Sequence, residues 1–147
     1  MSLKQKITED MKSAMRSKES DRLGAIRLLQ AAIKQKEVDE RIQVSDGDIF
    51  NVIEKMLKQR RDSIEAYKKA NRSDLVDQEE FEVNILQQYL PEPLAESQID
   101  KIISDVIQSS GASSIRDMGT VMNDVKLRVA GKANMADVSQ KIKSKLL

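Results

Sequence analysis

The side chains of this 147-residue chain that could do chemistry are carboxylates, because the sequence contains no histidine and no cysteine. Without these residue types there is no Ser-His or Cys-His nucleophile, no imidazole acid or base, and no thiolate or imidazole ligand for a metal. Three glutamates cluster at Glu79, Glu80 and Glu82. The three-residue spacing of Glu79 and Glu82 places both on one face of a helix, where they could hold a hard cation or share a proton.

Ion pairing is the better interpretation of these glutamates. Helical di-metal proteins combine such glutamates with a histidine three residues further on, and this chain has none. The expected partners of Glu79 and Glu82 are arginines across a helical bundle, namely Arg60, Arg61 and Arg72. Gly131-Lys132 is not a phosphate loop, because it lacks the upstream glycine and the following Ser or Thr. We therefore predict structural ion pairs, no metal, no cofactor and no catalytic residue.

Basic residues near the C-terminus form a second candidate site. From Lys126 onward six basic residues accompany Asp137 alone, whereas the segment from Pro93 to Asp124 holds two basic and five acidic residues. Such an excess could follow a phosphate backbone, or it could complement helix dipoles and confer solubility. All four aromatic residues precede the prolines, so an RNA bound here would be a folded one, contacted by shape and through its phosphates.

Both prolines of the chain, Pro91 and Pro93, interrupt a sequence that otherwise has helical periodicity. A proline inside a helix loses a hydrogen bond and clashes with the preceding turn. The composition, 33% charged and 3% aromatic, also favours helix over sheet. We predict an all-α protein in which residues 1–92 form a bundle of about four helices and residues 93–147 form a three-helix domain. Pro91 and Pro93 make the joint between them a restricted hinge.

Local signals place the individual helices. Capping-box spacings occur at Ser2–Gln5 and Ser114–Asp117, and Asp21 and Asn134 are predicted helix caps. A third helix opens at the Ser45–Asp48 segment. The apolar positions expected to face the cores include Leu3, Ile7, Met11, Ala14, Met15, Leu23, Ile26, Leu29, Ile33, Ile49, Val52, Ile53, Met56, Leu57, Ile64, Tyr67, Val76, Val83, Leu86 and Leu90, flanked by Phe81, Ile85 and Tyr89, then Ile99, Ile102, Ile103, Val106, Ile107, Ile115, Met118, Met122, Val125, Val129, Met135, Val138, Ile142 and Leu146.

The cellular location is predicted from absences. No apolar run approaches the length of a membrane span, and the N-terminus leads into an amphipathic pattern instead of the apolar core of a signal peptide. The lack of cysteine suits a reducing compartment. We predict a cytoplasmic protein that does not enter a membrane.

Two groups of motifs resemble the YqeY-like family over nearly the whole chain. The first consists of Lys58-Gln59-Arg60-Arg61-Asp62-Ser63-Ile64-Glu65-Ala66-Tyr67, Arg72, Asp74-Leu75, Glu79, Glu82 and Tyr89-Leu90-Pro91. The second consists of Gly111-Ala112, Asp117-Met118-Gly119-Thr120-Val121-Met122 and Gly131-Lys132-Ala133-Asn134, and it also resembles the C-terminal domain of GatB, a subunit of tRNA-dependent amidotransferase. The chain departs from the family pattern at Ala95, where a capping serine is usual, and at Asn71, where a glycine is usual.

The resemblance implies two helical bundles and a module without catalytic residues. In the amidotransferase the tail domain approaches the body of the tRNA, so the residues expected by similarity to contact RNA are Arg116, Lys126, Arg128 and Lys132. The function implied is that of a tRNA-associated helical module in translation, linked to tRNA-dependent amidotransfer, a carbon-nitrogen ligase reaction with glutamine as amido donor. The alternative is a protein-binding adaptor in aminoacyl-tRNA metabolism without direct RNA contact, whose partner would be an aminoacyl-tRNA enzyme or an amidotransferase component. An amidotransferase activity of the chain itself is the weakest hypothesis, since no residues for a nucleotide or an ammonia source are visible.

Overall fold

The computed structural model describes residues 2–147, and within this range it contains helices and loops without a strand, which confirms the all-α fold. The chain divides into two compact units, the first reaching Leu90 and the second covering Pro91–Leu147. The first unit holds α1 (Leu3–Arg16), α2 (Ser20–Glu40), α3 (Asp46–Lys69) and α4 (Ser73–Gln87). The second holds α5 (Glu96–Ser110), a 3₁₀ turn (Ile115–Asp117), α6 (Met118–Val129) and α7 (Met135–Leu146).

Helices α1 and α3 begin with complete capping boxes. Ser2 Oγ accepts a hydrogen bond from the Gln5 N–H at 3.2 Å, and Gln5 Oε1 accepts one from the Ser2 N–H at 3.0 Å. Ser45 and Asp48 exchange the same pair of bonds at 3.2 and 2.9 Å. The Ser45 N–H holds the pKa of the Asp48 carboxyl below its usual value. Each box satisfies two backbone groups that a helix start would otherwise leave unpaired.

The prediction that Asp21 caps α2 is wrong, since α2 begins one residue earlier, at Ser20, and Glu19 precedes it. Asp21 instead lies in the first turn, where a carboxylate complements the helix dipole. At the other ends of α2 and α3 the chain turns through left-handed residues, Arg41 at φ 53° and Asn71 at φ 57°. Asparagine tolerates this conformation better than most residues, so it substitutes for the usual glycine at little cost.

The first unit closes over one apolar core. Its buried residues are Ile7, Ala14, Ala25, Ile26, Leu29, Ile33, Ile49, Val52, Ile53, Met56, Leu57, Ile85, Leu86 and Tyr89. Two expected positions differ: Met15 is 48% exposed and Phe81 is 40% exposed. At the end of α4 and just after it, Ile85, Leu86 and Tyr89 are buried, so the buried face is rotated toward residues predicted to flank the apolar stripe. Helical periodicity locates an apolar side only to within about one residue, and the neighbouring helices decide which edge is covered.

The second unit has its own core. Its buried residues are Ile103, Val106, Val121, Val125, Val129, Val138, Ile142 and Leu146. Ile115 was expected in this core but is 41% exposed, while Val121 is fully buried. The cause is the 3₁₀ turn before α6, which has about three residues per turn and shifts the register of the apolar stripe. Asp117 caps this turn by accepting hydrogen bonds from the N–H groups of Ser113 and Ser114.

Candidate functional site

The clustered glutamates lie opposite one arginine of α3. Arg60 donates a hydrogen bond to Glu79 Oε2 at 3.3 Å, and its Nη1 lies 3.0 Å from Glu82 Oε2. All three side chains are largely buried, with 22% of Arg60 and 14% of each glutamate exposed. The contact with Glu82 is an ion pair without hydrogen-bond alignment, because this buried oxygen has no hydrogen-bond partner. Two carboxylates therefore share one guanidinium.

This sharing has an electrostatic cost that falls on Glu82. Burial raises the pKa of the Glu82 carboxyl, the Arg60 charge opposes that rise, and the neighbouring Glu79 charge adds to it. Within the described residues 2–147, no group of three or more His, Cys, Asp or Glu side chains is arranged to hold a metal ion. The arrangement is that of a structural ion-pair cluster between α3 and α4.

The other two arginines considered for this cluster lie elsewhere. Arg72 binds Asp74 two residues further on, with Nη2 3.0 Å from Asp74 Oδ2, in a pair that is more than half exposed. Arg61 is exposed and forms no ion pair with any residue that the structure describes. Of the three arginines, Arg60 is the one brought to Glu79 and Glu82.

Tyr89, just after α4, makes a polar contact that the sequence did not reveal. Its buried hydroxyl donates a hydrogen bond to Asp10 Oδ2 on α1 at 2.7 Å. Burial, followed by this bond to a carboxylate, raises the pKa of Tyr89 far above its ordinary value. Lys6 Nζ lies 5.9 Å from the centre of the tyrosine ring. The phenol is therefore a neutral donor that ties α1 to the end of α4. No spacing rule links residues 79 positions apart in sequence.

The four residues proposed to contact RNA all lie on the surface of the second unit. Arg116 is in the 3₁₀ turn, Lys126 and Arg128 are in the last turns of α6, and Lys132 follows Gly131. Arg128 Nε lies 3.1 Å from Asp124 Oδ1, with both side chains almost half exposed. Exposed pairs of this kind contribute little to stability and can be exchanged for another anion.

Lysines of α7 contribute less free charge than the sequence suggested. Lys141 Nζ lies 2.8 Å from Glu96 Oε1 and 3.0 Å from Asp100 Oδ1. The hydrogen bond to Glu96, followed by that to Asp100, raises the pKa of Lys141. Lys145 donates to Ser104 Oγ at 3.2 Å. These contacts join α7 to α5, and the carboxylates of Glu96 and Asp100 neutralise Lys141, whereas Lys145 keeps its charge because its partner is a neutral hydroxyl.

Helix α6 presents a mixed outer face. Val121, Val125 and Val129 point into the core, so a step of 100° per residue puts Leu127 on the opposite side, where it is 81% exposed. Lys126 and Arg128 then flank Leu127 on either side. The outer face of α6 therefore carries two cations, one on either side of an exposed leucine.

Comparison with known proteins gives consistent matches. A family model described as "Yqey-like protein" matches residues 4–146. The "Altered inheritance of mitochondria protein 41, mitochondrial" of Pyrenophora tritici-repentis is 32% identical over 140 residues, covering 93% of this chain and 77% of that protein. The protein of the same name from Vanderwaltozyma polyspora is 30% identical over 146 residues, covering 95% of this chain and 79% of the relative.

These relatives contradict the predicted cytoplasmic location, because they are named as mitochondrial proteins. The prediction relied on a cysteine-free composition and on the absence of an apolar N-terminal segment, and neither feature distinguishes the cytoplasm from other reducing compartments. Among residues 2–147, no helix is both long and apolar enough to cross a membrane.

Proposed function

Because this chain belongs to the YqeY-like family, we propose that it is a non-catalytic helical module whose second unit binds the body of a tRNA. The observation that supports the proposal most is the state of the cations at α6. Arg116, Lys126 and Lys132 are exposed and form no ion pair with the residues that the structure describes. The remaining candidate, Arg128, has only an exposed partner in Asp124.

Free surface cations are the groups that bind phosphate backbones. Each phosphate they neutralise releases counterions, so the affinity falls steeply as salt rises. About four contacts correspond to a slope of about −3 to −4 in a plot of log K against log salt concentration. The second unit contains no aromatic residue on which an unpaired base could stack, so contact with a folded, double-helical part of the RNA fits its surface best.

The proposal is tested by reversing the charge of Lys126, Arg128 and Lys132 to glutamate in the full chain. We expect the triple variant to lose binding to total tRNA, measured by electrophoretic shift at several salt concentrations, and to lose the salt dependence with it. Retained binding with an unchanged salt slope would contradict the assignment.

A matched control reverses three exposed cations of α3 that are unpaired in the described structure, Lys58, Arg61 and Lys68. This control changes the net charge by the same amount but leaves α6 intact. We expect it to retain most of the binding. An equal loss in both triple variants would show that net charge, and not the α6 surface, governs the interaction.

A further inference from the structure

A groove lies between α2 and α4 of the first unit, whereas the surface assigned to RNA belongs to the second unit. Its volume is about 760 Å³. The lining residues are Ser20, Asp21, Gly24, Ala25, Leu28, Asp77, Gln78, Phe81 and Glu82. The groove is thus bounded by the first half of α2 and the middle of α4, and it includes Glu82 of the ion-pair cluster but not Arg60.

The groove exposes two large apolar side chains. Leu28 of α2 is 46% exposed and Phe81 of α4 is 40% exposed. Ala25 of α2, which also lines the groove, is buried in the core. An accessible leucine and phenylalanine around a small residue form the kind of pocket that receives an apolar anchor from a partner.

Gly24 lines this groove, and nothing in its own helix requires a glycine there. A Cβ added at Gly24 would meet no atom within 4 Å, and the residue does not have a left-handed backbone. Glycine in a helix costs roughly 0.5–1 kcal/mol relative to alanine. Because Gly24 has no side chain, this part of the groove, beside Leu28 and Phe81, is left unfilled.

The charges around the groove have one sign. Its lining includes Asp21 and Asp77 but neither lysine nor arginine, and the third carboxylate, Glu82, is already paired with Arg60. Asp21 and Asp77 are exposed, and neither forms an ion pair with the described residues. Such a rim repels phosphates and attracts cations, so a nucleic acid is a poor occupant and a basic partner is a good one.

We propose that this groove binds an amphipathic α-helix of another protein, one with apolar residues on one face and Lys or Arg on its flanks. The apolar residues insert between Leu28 and Phe81, and the basic flanks lie along Asp21 and Asp77. A hydrophobic groove between two helices is a common binding site for such a helix. This protein-binding surface is separate from the RNA surface in position, charge and expected partner.

The test is a selection on the full chain from a library of helical peptides with a constant apolar stripe. Three arms of the library carry basic, acidic or uncharged flanks. We expect the basic arm to be enriched. Enriched peptides are then titrated by fluorescence anisotropy against the wild type and against Phe81→Ala, which should weaken binding by about tenfold or more.

Two further variants locate the binding. Gly24→Arg places a long cationic side chain in open space within the groove and should abolish binding. Asp21→Asn with Asp77→Asn should weaken binding several-fold at low salt and little at high salt. The matched control is Val38→Ala, which removes a 60% exposed apolar side chain of α2 outside the groove lining and should change the affinity by less than about twofold.

The proposal is overturned if no arm is enriched, if acidic or uncharged flanks are enriched as strongly as basic ones, or if the enriched peptides bind Phe81→Ala and Gly24→Arg as tightly as the wild type. Gly24→Ala serves as a folding control and should unfold at a slightly higher temperature than the wild type. Binding of tRNA by the Gly24→Arg variant separates the two surfaces, since loss of the peptide with retention of tRNA leaves the α6 assignment untouched.

Discussion

Arg60 faces the carboxylates of Glu79 and Glu82 but donates an aligned hydrogen bond to Glu79 alone. Glu79 accepts an aligned hydrogen bond, whereas Glu82 lies 3.0 Å away without one and keeps a buried oxygen unsatisfied. A buried carboxylate that is incompletely paired favours its protonated form. The charge on Glu82 is therefore a local cost that the rest of the α3–α4 packing must offset.

This difference predicts that two matched substitutions affect the free energy of unfolding differently. Glu82→Gln removes the costly charge and should leave the free energy of unfolding at pH 7 unchanged or raise it by up to about 1 kcal/mol. Glu79→Gln removes the carboxylate that Arg60 hydrogen-bonds and should lower it by about 1–2 kcal/mol. Urea denaturation followed by circular dichroism measures both.

The pH dependence of Glu82→Gln has a definite sign. The folded-state pKa of Glu82 lies above the unfolded value, so the folded state binds the extra proton and the contribution of this group to stability falls as pH rises through that window. The gain from Glu82→Gln should therefore shrink as the pH falls toward and below about 4, where the carboxyl becomes protonated in the unfolded state as well. A loss at pH 7 as large as that of Glu79→Gln would contradict the cost assigned to Glu82.

Sequence reasoning at this scale succeeded where partners are set by short spacing. The separation of Glu79 and Glu82 by three residues correctly placed them on one face of α4. The sequence did not show which arginine pairs with these glutamates, because Arg72 instead pairs with Asp74, two residues further on. The bond between Tyr89 and Asp10 was beyond reach, since it exists only once α1 and the end of α4 meet in the fold.

At the scale of helices, the starts were predicted best because caps are local. Ser2, Ser45 and Asn134 all accept the expected backbone hydrogen bonds. The exposed faces were predicted least well. Phe81 fits an apolar stripe but lies at its uncovered edge, and that depends on how α2 and α4 meet. The groove beside Phe81 could not be seen in the sequence for the same reason.

Helix α5 lacks the capping side chain that the starts of α1, α3 and α7 possess. Ala95 has an extended backbone, with φ −65° and ψ 151°, and its N–H donates to Gln98 Oε1 at 2.9 Å, so half of a capping box is in place. Ala95→Ser supplies the missing acceptor for the Gln98 N–H. We expect the second unit to gain about 1 kcal/mol of stability.

A gain of that size corresponds to a rise of about 4–8 °C in the unfolding temperature of a unit this small. Calorimetry or hydrogen exchange of α5 amides would detect it. Asn134→Ala is the reciprocal control at α7, where the Asn134 side chain accepts from the Ala136 N–H at 2.9 Å, and it should cost about as much. No gain from Ala95→Ser alongside a loss from Asn134→Ala would show that the start of α5 is held by other contacts.

For the molecule as a whole, each compact unit has its own core and its own kind of surface. The second unit exposes cations around α6, and the first has an acidic groove between α2 and α4. The formal net charge of +1 conceals this separation. The two proposed activities, RNA binding and protein binding, are therefore assigned to different units and can be tested separately.

The segment between the units should behave as a constrained joint. Leu90 packs against the first core, Leu94 packs against the second, and the Leu94 N–H donates to the Lys132 carbonyl oxygen at 2.9 Å. Only Pro91, Glu92 and Pro93 lie between these anchors. Since a protease must draw out an extended segment of several residues, we expect slow cleavage between Leu90 and Glu96 in the native protein.

The prolines themselves resist proteases, so the anchors must be tested separately from them. Replacing Pro91 and Pro93 by alanine removes the chemical protection, and limited digestion with a broad-specificity protease should still cut this segment slowly. Adding Leu94→Ala releases the second anchor and should accelerate cleavage there. If the native chain is cut rapidly between Leu90 and Glu96, the joint is a flexible linker; if the double proline variant is cut as fast as the triple variant, the prolines and not the packed leucines protect it.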